Sequence, residues 1–148
     1  MSDLEPPTYR VTLLLADAAQ VSDGKLYVLG GGLRVIGPNP QPAAIAMLIE
    51  VPWDQANLRH EWKLELLSED GMPVMAGERP VIVGGNFEAG RPAGLSPGSS
   101  LIVPMAINFS ALPAKAGAAY TWRLAIDGTS EPDWRLSFTV RPPKPAAT

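Results

Sequence analysis

The chain contains no cysteine and a single histidine, His60, in 148 residues. A disulfide framework and a cysteine-ligated metal are therefore excluded, and the lack of thiols fits a reducing compartment, with the cytosol as the expected one. Basic residues are also few and scattered. Twelve Lys and Arg against 15 Asp and Glu leave a net charge of -3, without the basic stripe of a nucleic-acid binder. No apolar run approaches the roughly 20 residues of a membrane-spanning helix. The opening, Met1 to Pro7, is acidic and has no h-region, so no signal peptide is expected. Internal repeats and a long helical period are missing too.

What is present suits one globular domain, expected over residues 8–141 with flexible tails at 1–7 and 142–148. A chain of this length buries about two-thirds of its unfolded surface and needs no metal to fold. The 16 prolines and 14 glycines fall between apolar runs, where they act as turn punctuation rather than a disordered tract.

Between those turns the pattern is β. Tyr9 to Asp17 is apolar on both faces, as a covered strand would be. Ala18 to Gly24 reads as a turn closed by the hairpin dipeptide Asp23-Gly24, and Lys25 to Leu29 as the second strand. Leu33 to Ile36 is a short run beyond the glycines. In Ala43 to Val51, alternation of Ile45, Met47, Ile49 and Val51 favours strand over helix. Trp53 to Arg59 suits one helical turn after Pro52, and His60 to Leu67 alternates cleanly. Pro73 to Glu88 holds one or two short strands. Leu101 to Phe109 carries Pro104, which cannot donate to a ladder, so it should be an edge strand or a bulge.

The strongest signal is the last hairpin. Tyr120, Trp122, Leu124 and Ile126 share one parity of their strand, and Trp134, Leu136, Phe138 and Val140 share one parity of theirs. Pairing Ile126 opposite Trp134 puts these side chains on one face and both arginines on the other. Seven to nine short strands with regular turn signals define an all-β fold, expected as an antiparallel two-sheet β-sandwich. It is immunoglobulin-like in architecture only: there is no cysteine pair, and Gly117-Ala-Ala-Tyr120 is an off-spaced version of a tyrosine corner.

Few residues converge on chemistry. Gly94-Leu-Ser-Pro-Gly98 matches the spacing of a nucleophile elbow, but the residue after Ser96 is Pro97, which has no N–H for an oxyanion hole. Gly30-Gly31-Gly32 lacks dinucleotide-loop spacing and no helix follows it, so a corner of the chain is expected. Asp17, Asp23 and Asp54, with His60, would form a calcium-type oxygen site if successive strands reverse direction and bring their loops to one end. Trp62, Trp122 and Trp134 fall on core parities. Trp53, if exposed beside Asp54, Asn57, Arg59 and His60, is the best partner anchor in the chain. The proline-stiffened loop Arg91 to Ser100 is a second candidate surface.

Four segments carry a resemblance: LLLADAAQVSDGKLYVLGGG (residues 13–32), AIAMLIEVPWDQANLRH (44–60), FEAGRPAGLSPGSSLIVPMAINF (87–109) and YTWRLAIDG (120–128). Together they resemble a family of uncharacterised bacterial proteins, common in actinobacteria. The opening is the most specific part, although members often carry tryptophan where this chain has Leu33. The resemblance implies a bacterial cytosolic protein and assigns no activity. From the residues, the expectation is a non-enzymatic protein-interaction or assembly module. It would use no cofactor, nucleic acid or membrane, and its partner would be a protein, self or other. An exposed edge at Leu101 to Phe109 would offer a pairing surface. The alternative is a small-ligand or calcium-type metal-binding sandwich.

Overall fold

The computed structural model describes residues 8–145. The expected tail at 1–7 and the last three residues of the tail at 142–148 lie outside the described residues. The chain is all-β, with strands β1 (Arg10–Ala16), β2 (Ala18–Ser22), β3 (Lys25–Leu29), β4 (Val35–Ile36), β5 (Ala43–Val51), β6 (His60–Ser68), β7 (Met75–Ala76), β8 (Arg79–Pro80), β9 (Ile82–Phe87), β10 (Leu101–Phe109), β11 (Ala119–Ile126) and β12 (Arg135–Val140). These form four sheets rather than the two expected. One has the order β1-β5-β10, one the order β4-β12-β11-β6-β9, and β2-β3 and β7-β8 are separate hairpins. The strand count exceeds seven to nine because three strands are only two residues long and β2 forms within a stretch read as a turn.

One core joins the two larger sheets. Ile45, Met47, Ile49 and Val51 of β5 share it with Leu64, Leu66, Trp122, Leu124 and Phe138 of the five-stranded sheet. The opposite face of β5 is alanine for a structural reason. Ala44 and Ala46, with Ala106 of β10, form a shallow floor on which Ala19 and Leu26 of the β2–β3 hairpin rest. Larger side chains there would lift the hairpin away. Asn108 on β10 then clamps it: its Nδ2–H donates to Ala19 O (2.9 Å) and its Oδ1 accepts from Ala19 N–H (3.3 Å). This side-chain amide takes the place of a ladder pair between sheets that share none.

Both Asp-Gly turns behave as their sequence requires. Asp23 (φ 53°) and Gly24 (φ 72°) close β2–β3, and Asp127 (φ 50°) and Gly128 (φ 80°) close the turn after β11, with positive φ at both central residues. In the last hairpin the faces are as read but the register is two residues away. Trp122 lies opposite Leu136 and Arg123 opposite Arg135, whereas Ile126 is joined to Thr129. A two-residue shift preserves parity, so burial alone does not distinguish the registers. The facing arginines are tolerated because Glu65, opposite Arg123 on β6, accepts a hydrogen bond from its guanidinium at 2.8 Å. β10 is an edge of its sheet, as Pro104 demands.

Candidate functional site

His60, the first residue of β6, was expected to face outward with the partner-binding group. It is instead buried, with 4% of its surface exposed. Its ring lies against Phe87 (centroids 5.2 Å apart) and meets Tyr9 edge-on at 5.7 Å. Nδ1 is 2.7 Å from Asp127 Oδ2 and 3.3 Å from the Tyr9 hydroxyl. The shorter contact and the negative charge direct the Nδ1–H to the carboxylate. Nε2 faces the carbonyl of Gln55 at 3.4 Å, so both ring nitrogens point at protein oxygens. Asp127 is held from its other side, its Oδ1 accepting the Glu61 N–H at 2.9 Å.

These surroundings shift the ionisation of Asp127 and Tyr9. Burial alone would raise the Asp127 carboxyl, but the Glu61 N–H and then the His60 hydrogen bond and charge outweigh it and hold the group below its ordinary value. Burial, followed by the charges of Asp127 and Asp54, pushes the Tyr9 phenol up. Beside the cluster, between β1 and the β11–β12 connection, is a cavity of about 800 Å³. Tyr9, Arg10, Glu50, Asp127, Asp133 and Trp134 are among its walls.

The rest of the expected partner group divides. A 3-10 turn, Trp53–Gln55, follows Pro52, shorter than the turn expected to reach Arg59. It stops because Ala56 is extended and Asn57 is left-handed at φ 59°. Trp53 is half-buried, and its exposed face is taken: the Arg91 guanidinium lies 4.3 Å from the ring centroid and donates to Trp53 O at 2.7 Å. The Asn57 N–H donates to Ala89 O (2.8 Å), sealing the same two segments together. The two surfaces read separately from sequence, at Trp53 and at Arg91 to Ser100, therefore meet through Arg91, while most of that loop stays exposed. Asp54, Asn57 and Arg59 remain exposed.

The acidic residues do not converge. In the pairing of β1 with β5, Ala16 is opposite Ala44 and Arg10 opposite Glu50. Asp17 therefore lies at the start of β5, and Asp54 and His60 beyond its end, on the order of 30 Å away at the rise of a strand. The expected reversal fails because β2 and β3 leave the sheet as a hairpin, and β5 is the next strand in it. Asp23 is at the hairpin tip. No group of three or more His, Asp or Glu able to hold a metal ion is found among the described residues. Ser96 sits in a turn closed by the Ser99 N–H donating to Ser96 O (3.1 Å). Gly30 to Gly32 form the expected corner. Gly30 is left-handed at φ 67°, and a Cβ there would fall on the Asp17 carboxylate. The N–H groups of Gly32 and Leu33 both donate to Leu15 O, covering the edge of β1 at that point.

What sequence reasoning missed is the β2–β3 hairpin as a surface. Val21, Tyr27, Val28 and Leu29, with Leu14 beside them, are exposed large hydrophobics. Tyr27 is 54% exposed and Leu29 70%. The signal in the sequence is LYVL, four consecutive apolar residues on a strand too short to be buried on both faces.

Comparison with protein families gives one finding. A model of a family of unknown function, DUF6941, matches residues 11–141, and the chain belongs to that family. Neither the curated proteins nor the solved structures give a match. Among the described residues no helix is long and apolar enough to cross a membrane.

Proposed function

We propose that this chain is a non-enzymatic protein-interaction module whose contact surface is the β2–β3 hairpin. The observation that carries the reading is the exposed apolar stretch Tyr27 to Leu29, raised above the sheet on an alanine floor and held there by Asn108. Contiguous exposed apolar surface of this kind marks association sites. The Trp53 end fits the role less well, because Arg91 occupies the indole face and His60 is turned inward. The scaffold supports an immunoglobulin-like reading. Its two larger sheets share one core, and the Tyr120 hydroxyl accepts the Lys115 N–H at 2.7 Å, as a tyrosine corner does. A cytosolic setting belongs to the same proposal, supported by the cysteine-free sequence.

The test is cross-linked capture from a native extract with three baits: the wild type, Leu29→Lys, and Trp53→Ala with Arg59→Ala. Loss of a stoichiometric partner with Leu29→Lys alone supports the hairpin. Loss with the Trp53 and Arg59 bait alone returns the contact to the opposite end. A second reading, a small-ligand site, is favoured by the 800 Å³ cavity at Tyr9 and Asp127. A true ligand at a hundredfold excess over its Kd would add about 2.7 kcal/mol to stability. A thermal screen of metal ions, sugars and nucleotides that moves nothing would count against this reading.

A further inference from the structure

We propose that β3 pairs with β3 of a second copy of this chain, antiparallel across a two-fold axis, so that two hairpins become one four-stranded sheet. The proposal rests on the hairpin reading above and specifies its partner. The first ground is the edge itself. Among the described residues β3 pairs only with β2, leaving its other row of N–H and C=O groups open. The outer edges of the two larger sheets are interrupted or short: β10 carries Pro104, β1 is covered at Leu15 by the chain from Gly32 to Leu33, β4 is two residues long, and β9 is weakened by Gly84 and Gly85. β3 has no proline, glycine or bulge, and a two-stranded hairpin gains most from a third strand.

The second ground is self-complementarity. With Tyr27 on the axis, Lys25 faces Leu29 and Leu26 faces Val28 of the other copy, and no like charges meet. The Tyr27 and Leu29 side chains of both copies, which share one face of the hairpin, are brought alongside each other. Lys25 also arrives next to the other copy's Gly30, where the Asp17 carboxylate lies. Lys25 and Asp17 are both exposed, and neither joins an ion pair among the described residues. The two-fold therefore supplies each lysine with an acid and each acid with a lysine. A symmetric contact of this type closes on itself and does not propagate into a fibre.

The absence of native cysteine makes the test direct, because Tyr27→Cys is then the sole thiol. Facing residues of an antiparallel pair have Cα atoms about 4.5–5.5 Å apart, within the range of about 4.4–6.8 Å that a disulfide spans. Mild oxidation should convert Tyr27→Cys to a covalent dimer far faster than Gln20→Cys, a control on the far strand of the hairpin. Sedimentation should show a wild-type dimer weakened roughly tenfold by Lys25→Asp or Asp17→Lys alone and restored when both are present. Circular dichroism would confirm that each variant is folded. A wild type monomeric throughout, or a dimer in which residue 27 cross-links no faster than residue 20, overturns the proposal. A monomer that still captures a foreign protein through the hairpin overturns it too, and leaves the interaction-module reading standing.

Discussion

At the His60 end, a ring that could have faced solvent is turned inward, and the polar atoms around it answer one another. At the β2–β3 hairpin, apolar side chains that could have been covered stand outside, on a strand with one open edge. In the first region Asp127 holds both the His60 ring and the Glu61 N–H, so its residues are explained by folding. Among the described residues the open edge of the second has no such partner, and the proposed pairing accounts for its exposure. A polar cluster draws attention because its residue types are those of catalysis. Here the unmet chemistry is in a stretch of ordinary leucine, valine and tyrosine.

The sharpest way to break this contrast is to remove the ring. His60→Ala takes away its packing on Phe87 and Tyr9 and leaves Asp127 without its closest partner. A loss of about 2–4 kcal/mol is expected, read from the midpoint of urea unfolding. A loss under about 1 kcal/mol would mean that the cluster does not hold this end together. Asn108→Ala comes next. It deletes the two hydrogen bonds that fasten β2, for about 1–2 kcal/mol. Hydrogen exchange should quicken in β2 and β3 while the core of β5 stays protected.

Much of this was legible in the sequence, and the parts that were not share a cause. The Asp-Gly turns, the edge position of the Pro104 strand and the inward parity of β11 and β12 follow from local residue chemistry. Their register did not, because a two-residue slip keeps every face. The deciding elements are the tight Ile126–Thr129 turn and Glu65 on a strand far away in sequence. The His60–Asp127 contact joins residues 67 apart, and Arg91 reaches Trp53 across 38. The sequence singles out His60, Trp53 and the loop that begins at Arg91, but gives Asp127 no partner. Their meeting needed the strand order, which a hairpin excursion after β1 had disguised. That same excursion separated Asp17 from Asp54. The hairpin's exposure was hidden because KLYVL is apolar at both parities, and alternation cannot say which face is left open.

Acid and alkali separate the two regions without disturbing either fold. The Asp127 carboxyl is held below its ordinary value of 3.8, so the unfolded chain binds that proton more readily than the native one. Its contribution is complete above the unfolded value and is lost as pH falls through the depressed one. Asp127→Asn should therefore flatten the acid limb of stability below about pH 4. The change should be modest, because the side chain is 47% exposed. Tyr9 is the counterpart. Its phenol is raised above 10.0, so its contribution is present below that value and lost as pH climbs through the raised one. Tyr9→Phe should flatten the alkaline limb, whereas substitution of Leu29, which has no titratable group, should leave both limbs alone.

The smallest expected change in stability is the most informative about the hairpin. Leu29 is the most exposed of the large hydrophobics, so Leu29→Ser removes little that folding had buried. For the isolated chain the shift should stay within about 0.5 kcal/mol. If β3 is covered in the working state, the same substitution weakens association while the dilute monomer unfolds at its usual midpoint. Unfolding measured across a range of protein concentrations tests this directly. The wild-type midpoint should rise with concentration and that of Leu29→Ser should not. Two flat lines would mean that the leucine is surface without a partner copy. A large drop in the dilute variant would mean that Leu29 packs within its own chain, and the distinction between the two ends of the molecule would fail.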